Sequence, residues 1–164
     1  MKPTGLVMAG IAAGAIVAAC GDDTRRLTKE KFIEQADAIC AETNEVVAPV
    51  FEAVWADTEN WDDPTGEPGP SVFVRFDQAV DEVMPHFERQ LDQLRGFDPP
   101  LDDEELIARL LDDHDVALAE SAELVEAAAG GDEAAMATLE SDDPFADVDR
   151  RMREYDMTVC GADG

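Results

Sequence analysis

The sequence predicts an all-α protein: an up-and-down helical bundle of about four helices, some kinked at proline, closed by one disulfide. Three observations predict this class. Apolar residues recur at steps of three and four along most of the chain, a spacing typical of helices that bury one face. No stretch alternates apolar and polar residues over a useful length, as a half-buried strand would. One cysteine, Cys40, lies on the apolar face of the first predicted helix, and another, Cys160, lies near the end of the sequence.

Residues 1–19 are predicted to be a lipoprotein signal peptide. They hold one charge, Lys2, and then an apolar run that is too short and too rich in Gly and Ala for a transmembrane helix. The letters V-A-A before Cys20 resemble the bacterial lipobox. That resemblance implies cleavage before Cys20 and covalent lipid on it, with acyl chains of the palmitate kind. An ordinary secreted protein whose signal ends near a cysteine is the alternative.

Several acyl chains on one residue hold a protein stably in a bilayer. We therefore expect a protein of the cell membrane, lipid-anchored on the extracytoplasmic face. Residues 20–27 would be the lipid anchor and a short polar tether, residues 28–160 an acidic α-helical bundle, and residues 161–164 a tail.

With Cys20 assigned to lipid, Cys40 and Cys160 remain as a pair in an oxidising compartment, where disulfides persist. A bridge between them would close a loop of about 120 residues, which a chain-entropy description values at roughly 5 kcal/mol. Two free thiols forming a redox or metal site are the alternative. Neither cysteine has a CxxC partner or a neighbouring histidine, which disfavours such a site.

The chain is strongly acidic, with 39 Asp and Glu against 12 Lys and Arg and a net charge of −27. Loss of residues 1–19, which hold Lys2 and no acid, would leave −28. This charge excludes nucleic acid as a partner, because phosphate binding needs basic side chains. The negative charge also repels anionic headgroups, so the covalent lipid on Cys20 would be the only attachment to the membrane. The acids interleave with apolar residues as on solvated helix faces; binding of cations and a salty habitat both remain open.

Helix 1 is predicted to begin with Thr28 as its N-cap, and Leu27 and Phe32 are placed to form a hydrophobic staple. Pro49 should kink or split this helix, because proline removes a backbone donor. The Pro and Gly content of residues 57–70 predicts a loop. Its carboxylates do not match the spacing of an EF-hand.

Helix 2 follows that loop, is interrupted by Pro85, and ends at Gly96 before two prolines. Helix 3 should be capped by Asp102, with Glu105 completing a capping box and Leu101 stapling to Leu106.

Two apolar rows give helix 3 a wide buried sector, and Gly130-Gly131 ends it. Asp132 should cap a fourth helix. Pro144 should occupy the first position of a final helical segment.

The segments L-T-K-E-K-F-I-E-Q-A-D-A-I-C at 27–40 and R-E-Y-D-M-T-V-C-G at 153–161 carry a resemblance. Together with the lipobox, the helix with Pro85 and the L-R-G-F-D-P-P run, they resemble a group of small uncharacterised actinobacterial lipoproteins. In that group the first-helix and near-terminal cysteines are similarly placed, which supports a Cys40–Cys160 bridge. A glycine usually follows the tyrosine there, whereas Asp156 stands at this position. The resemblance implies no activity.

His114 lies midway between the two apolar rows of helix 3. If helices 2 and 3 form an antiparallel hairpin, His86 lies at about the same height, and Glu82 is one turn before it. Two imidazoles and a carboxylate suit Zn²⁺ or Cu²⁺. The stronger interpretation is a core His114 bonded to a carboxylate or backbone carbonyl, with no metal site.

No nucleophile-elbow, HExxH or phosphate-loop motif occurs in the sequence, and we expect no enzyme and no cofactor beyond the lipid on Cys20. The first expectation is a non-enzymatic envelope protein that interacts with other proteins. The alternative is a lipoprotein that binds a cation or small solute in the bundle interior or on the acidic surface. Trp55 and Trp61, beside the 57–70 loop, are the best exposed aromatic candidates for a ligand or partner. A Trp at a helix end is more often a cap over the core.

Overall fold

The computed structural model describes residues 26–56 and 72–162. The predicted signal peptide, Cys20, most of the tether, the 57–70 loop with Trp61, and the last two residues of the predicted tail lie outside these ranges. The described ranges contain α-helices and a short 3₁₀ helix but no strand, which confirms the all-α class. The helices are α1 (Lys29–Ala56), α2 (Val72–Arg95), α3 (Glu104–Ala129), α4 (Glu133–Ser141) and α5 (Ala146–Glu154), with the 3₁₀ helix at Leu101–Asp103.

The N-terminus of α1 forms as the sequence predicts. The hydroxyl of Thr28 accepts a hydrogen bond from the backbone N–H of Lys31 at 3.3 Å, so one of the free donors of the first turn is satisfied. Leu27 packs against the core that contains Phe32. α1 continues through Pro49 and α2 continues through Pro85. Pro49 therefore does not split α1, and the predicted interruption of helix 2 at Pro85 is wrong.

The long helices run up and down. The backbone N–H of Leu27, just before α1, donates to the carbonyl of Asp98, just after α2, at 2.9 Å. At the other end of the pair the rings of Phe51 and Phe76 lie 5.3 Å apart. α1 and α2 are therefore antiparallel. α3 packs against α2, and α5 lies along the first half of α3, where Arg151 pairs with Asp113.

The core lies between these helices and is built from the predicted apolar faces. Fully buried side chains come from four of the five helices, and Tyr155 and Met157 close the core beyond α5. The ring of Phe32 makes edge-on contacts with Phe97 and Tyr155, at 6.2 and 6.4 Å between centroids. The largest fully buried side chains are Phe32, Leu91, Leu110, Met152, Val83, Val125 and Cys40.

The predicted start of helix 3 is wrong in its details. A 3₁₀ turn precedes α3, and Asp103 rather than Asp102 is the residue before the helix. The Asp103 side chain makes no capping bond, because it accepts a hydrogen bond from the Tyr155 hydroxyl at 2.7 Å. Leu101 is exposed, so it does not act as the predicted staple.

The short helices follow the prediction in part. Asp132 caps α4, since its carboxylate accepts the backbone N–H groups of Ala134 and Ala135 at 2.8 and 3.1 Å. Pro144 is not the first residue of α5: the helix begins at Ala146 with Phe145 before it. The Asp143 carboxylate instead accepts the Phe145 N–H at 2.8 Å, and this local turn delays the helix.

One disulfide closes the bundle, as predicted. Cys40 in α1 is bonded to Cys160, with an S–S distance of 2.07 Å and a Cα–Cα distance of 5.1 Å. The turn between α5 and Cys160 depends on Asp156, which adopts a left-handed φ of 76°. There the Met157 N–H donates to the Met152 carbonyl, and the Asp156 N–H donates to the Arg153 carbonyl. This is the Schellman pattern of helix ends.

Candidate functional site

The junction around the disulfide is held by more than the S–S bond. Asp37 lies one turn before Cys40 on α1, and its carboxylate accepts the backbone N–H groups of Val159 and Cys160 at 3.0 and 3.2 Å. Sequence reasoning missed this role. The sequence does place a carboxylate, Asp37, three residues before the predicted bridging cysteine Cys40. This spacing could have indicated a contact with the chain around Cys160.

The chain beyond Cys160 lies tightly against α5. A Cβ at Gly161 would come within 2.5 Å of the Asp149 carbonyl oxygen, so only glycine fits this approach. The Arg153 guanidinium also donates to the Gly161 carbonyl oxygen. The junction is thus a packed structural element around the C-terminal turn.

His114 is a titratable side chain that is buried in the helical core. It is only 5% exposed, and its ring lies 5.6 Å from the ring of Phe145. Neither ring nitrogen has a hydrogen-bond partner. The expected burial is therefore correct, but the expected bond to a carboxylate or backbone carbonyl is absent.

The environment keeps the His114 imidazole neutral. Burial lowers the pKa of His114 from 6.5 to about 4, and the negative charge of the neighbouring Asp115 acts in the opposite direction. Asp115 is itself paired with Arg95 at 2.9 Å. At neutral pH the ring therefore offers one donor and one acceptor to the interior.

Gln90 is a second buried polar group that sequence reasoning missed. It is 4% exposed, and its Oε1 atom has no hydrogen-bond partner. The sequence could have indicated this burial. Gln90 lies seven residues after Val83 and four before Leu94, and this helical spacing places it on the same face as these two buried residues. Gln90 and His114 therefore both place unsatisfied polar atoms in the interior, which is unusual because each such atom carries a desolvation cost.

The weak metal hypothesis drew on His86, His114 and Glu82. In the described ranges no group of three or more His, Cys, Asp or Glu side chains is placed to share a metal ion, so these three are not brought together as one ligand set. His86 is only partly buried, and its Nδ1 atom lies 3.4 Å from an Arg89 guanidinium nitrogen. A cation next to the imidazole disfavours a second cation there.

Trp55 lies at the end of α1 that is remote from the disulfide. It is 56% exposed, and its ring lies 6.0 Å from that of Phe76, which in turn contacts Phe51. The predicted exposure of this aromatic side chain agrees with the structure. Trp61, its predicted companion, lies outside the described residues.

Two grooves lie along the outer side of α3. One, of about 270 Å³, lies between α3 and the start of α5. The other, of about 420 Å³, lies further along α3, and both include Glu120. His114 lines neither groove. The residues of the first are Asp113, Val116, Ala117, Glu120, Pro144, Asp147, Val148 and Arg151, and those of the second are Glu120, Glu123 and Leu124.

Comparison with family models, curated proteins and solved structures finds no match for this chain. No helix in the described part of the chain has the length and apolar character that crossing a membrane requires. The functional conclusion therefore rests on the arrangement of this chain's own residues.

Proposed function

We propose that this protein is a lipid-anchored, extracytoplasmic helical bundle that acts without catalysis, by interacting with other proteins of the cell envelope. The address rests on the lipobox-like sequence before Cys20. The Cys40–Cys160 disulfide supports it, because structural disulfides persist in exported proteins and are rare in the cytosol.

The connectivity suggests how the bundle would stand on the membrane. Cys20 precedes Arg26 by six residues, so a lipid on Cys20 lies within about 20 Å of the start of the bundle. The end formed by the start of α1 and the chain after α2 would face the bilayer. Trp55, near the other end of α1, would then lie about 40 Å away from that end.

The observation that carries the interaction hypothesis is the packing of His114. Its ring lies against Phe145, and neither groove on α3 reaches it. A solute-binding bundle would instead have a polar cavity leading to this side chain. The grooves lie on the outside of the bundle, where a partner protein has access.

The membrane address is tested by fractionation. Cys20→Ser should move the protein from the membrane fraction to the soluble fraction, because the acceptor of the lipid is lost. The matched control, Cys40→Ser, removes a cysteine that does not carry lipid and should leave the protein in the membrane fraction. Persistence of the Cys20→Ser protein in the membrane would contradict the proposal.

Native mass spectrometry of the wild-type protein, extracted gently from its own membrane, tests the interaction. A lipidated mass, lacking two hydrogens for the disulfide and found in complex with another protein, is the expected result. A bound metal or small solute that is lost in both His114→Ala and His114→Gln would reject the interaction hypothesis.

A second candidate, a lipoprotein that binds a cation or small solute, is favoured by one specific observation. Both nitrogens of His114 and Oε1 of Gln90 are buried without hydrogen-bond partners. A small polar solute that reached them would satisfy these atoms. The same mass measurement separates the two candidates.

A further inference from the structure

The two grooves on α3 together form one elongated surface, which we call the α3 groove. It extends from Asp113 to Leu124 and shares Glu120 between its two halves. These twelve residues of helix span about 16 Å, which is eleven rises of ~1.5 Å, or roughly three turns. A second helix of three turns would match this length.

The lining of the α3 groove includes apolar side chains. Val116 is 54% exposed, which makes it one of the few large hydrophobic side chains in the described residues that face water. Ala117, Val148 and Pro144 line the same half of the groove. Covering Val116 would therefore remove apolar surface from water, a favourable change.

Acidic side chains also line the α3 groove. Its lining contains four carboxylates and one basic side chain, Arg151. Arg151 is already engaged with Asp113 and Asp147. Among the described residues, Glu120 and Glu123 have no salt-bridge partner, so the second half of the groove presents uncompensated negative charge.

We propose that the α3 groove binds a basic amphipathic helix of a partner protein, with its apolar side on Val116 and its Lys or Arg side chains beside Glu120 and Glu123. This is the recognition mode in which a helix lays its apolar face into a groove. The proposal rests on the interaction function above and specifies the chemistry of the partner.

Charge complementarity distinguishes this occupant from the others. A second copy of the chain carries the same net charge of −27, so like-charge repulsion opposes pairing through an acidic groove. Anionic lipid headgroups are repelled for the same reason. A basic segment is attracted both by the local carboxylates and by the field of the whole protein.

The test uses the lipidated protein in phosphatidylcholine nanodiscs and a fluorescent synthetic peptide of 18 residues. A peptide helix of ~18 residues is about two turns longer than the groove. The peptide carries leucines at i, i+4 and i+7 and lysines elsewhere on the helix. Fluorescence anisotropy should show saturable binding that weakens with added salt. Empty nanodiscs provide the blank.

Matched variants separate the groove from the general acidic surface. Val116→Lys should weaken peptide binding about tenfold or more, a loss of ~1.4 kcal/mol, because it replaces the exposed apolar side chain of the lining with a cation that repels the basic peptide. Val46→Lys makes the same substitution at a 48% exposed valine on α1 and should change the affinity less than about twofold. A scrambled peptide of equal composition, with no apolar face, should bind as weakly as the peptide does to Val116→Lys.

Equal weakening by both valine variants, or equal binding of the scrambled peptide, would overturn the proposal, since attraction would then be to the acidic coat alone. Dimerisation of the protein that Val116→Lys abolishes would also overturn it, because the occupant would be a second copy. If the peptide does not bind while native mass spectrometry still shows a protein complex, the proposed binding site is wrong and the proposed interaction function stands. Failure of the Cys20→Ser test would instead remove the proposed address, whatever the peptide result.

Discussion

At the scale of single residues, the described interior contains polar side chains, and His114 and Gln90 are the most deeply buried of them. His114 lies against Phe145, and Gln90 lies on the buried face of α2. Because both His114 nitrogens lack partners, the charged imidazolium would lose its hydration without any compensation. The consequence is a stability that depends on pH.

We expect His114 to destabilise the fold as the pH falls. The unfolded chain takes up a proton near pH 6.5, whereas burial lowers the pKa of folded His114 to about 4. Its contribution to stability is therefore fully present above about pH 6.5, is lost progressively down to about pH 4, and is constant below that. The total loss is on the order of 3 kcal/mol.

Urea unfolding of the wild type and of His114→Leu between pH 7 and 4 measures this effect. The difference in unfolding free energy between the two proteins should grow in favour of the variant as the pH falls. Taking the difference cancels the titration of the many carboxylates that both proteins share. His86→Leu is the matched control, and an equal growth there would contradict burial of His114 as the cause.

At the scale of helices, the sequence predicted the helical faces better than the helix ends. Thr28 and Asp132 cap their helices as predicted, because a capping bond needs only atoms within three residues. Asp103 does not cap α3, because its carboxylate is bonded to Tyr155, 52 residues away. A local sequence pattern cannot show a contact over that separation. For this reason the predicted N-cap of helix 3 was wrong.

The end of α5 gives a prediction at this scale. Asp156 has φ 76°, a left-handed conformation that costs a non-glycine residue about 1 kcal/mol and suits glycine. Asp156→Gly should therefore be more stable than Asp156→Val by about 1–2 kcal/mol, since a β-branched side chain is disfavoured there. Chemical denaturation of the two variants measures the difference.

Comparing the glycine variant with the valine variant controls for the loss of the aspartate side chain. Both remove the exposed ion pair between Asp156 and Lys29, so the loss of that pair cancels. A valine variant as stable as the glycine variant would show that the turn does not need left-handed backbone.

At the scale of the whole molecule, the disulfide ties α1 to the C-terminal turn across 120 residues. Replacing both cysteines in Cys40→Ser/Cys160→Ser should lower the free energy of unfolding by up to about 5 kcal/mol, because the unfolded chain gains the entropy that the bridge denies it. Urea unfolding measures the loss. Cys20→Ser, which alters the cysteine outside the bridge, should leave the unfolding free energy unchanged.

A smaller effect of the double variant would point to the other bonds at the junction. The Asp37 carboxylate holds the backbone of Val159 and Cys160 without help from sulfur. If the Cys40→Ser/Cys160→Ser protein kept nearly all of its stability, the bridge would not be the main constraint on the C-terminal turn.

The sequence by itself determined the all-α class, the helical faces, the local caps at Thr28 and Asp132, and the pairing of Cys40 with Cys160. The class, the faces and the caps follow from periodicity and short-range hydrogen bonding, which are local. The pairing was predicted by assigning Cys20 to lipid, with support from the resemblance to lipoproteins with similarly placed cysteines. Only the tertiary structure decided that Asp103 bonds to Tyr155, that Asp37 holds the C-terminal turn, and that Val116 is exposed beside acidic side chains of α3 and α5. Those features arise where helices meet, and which helices meet depends on packing of the whole chain.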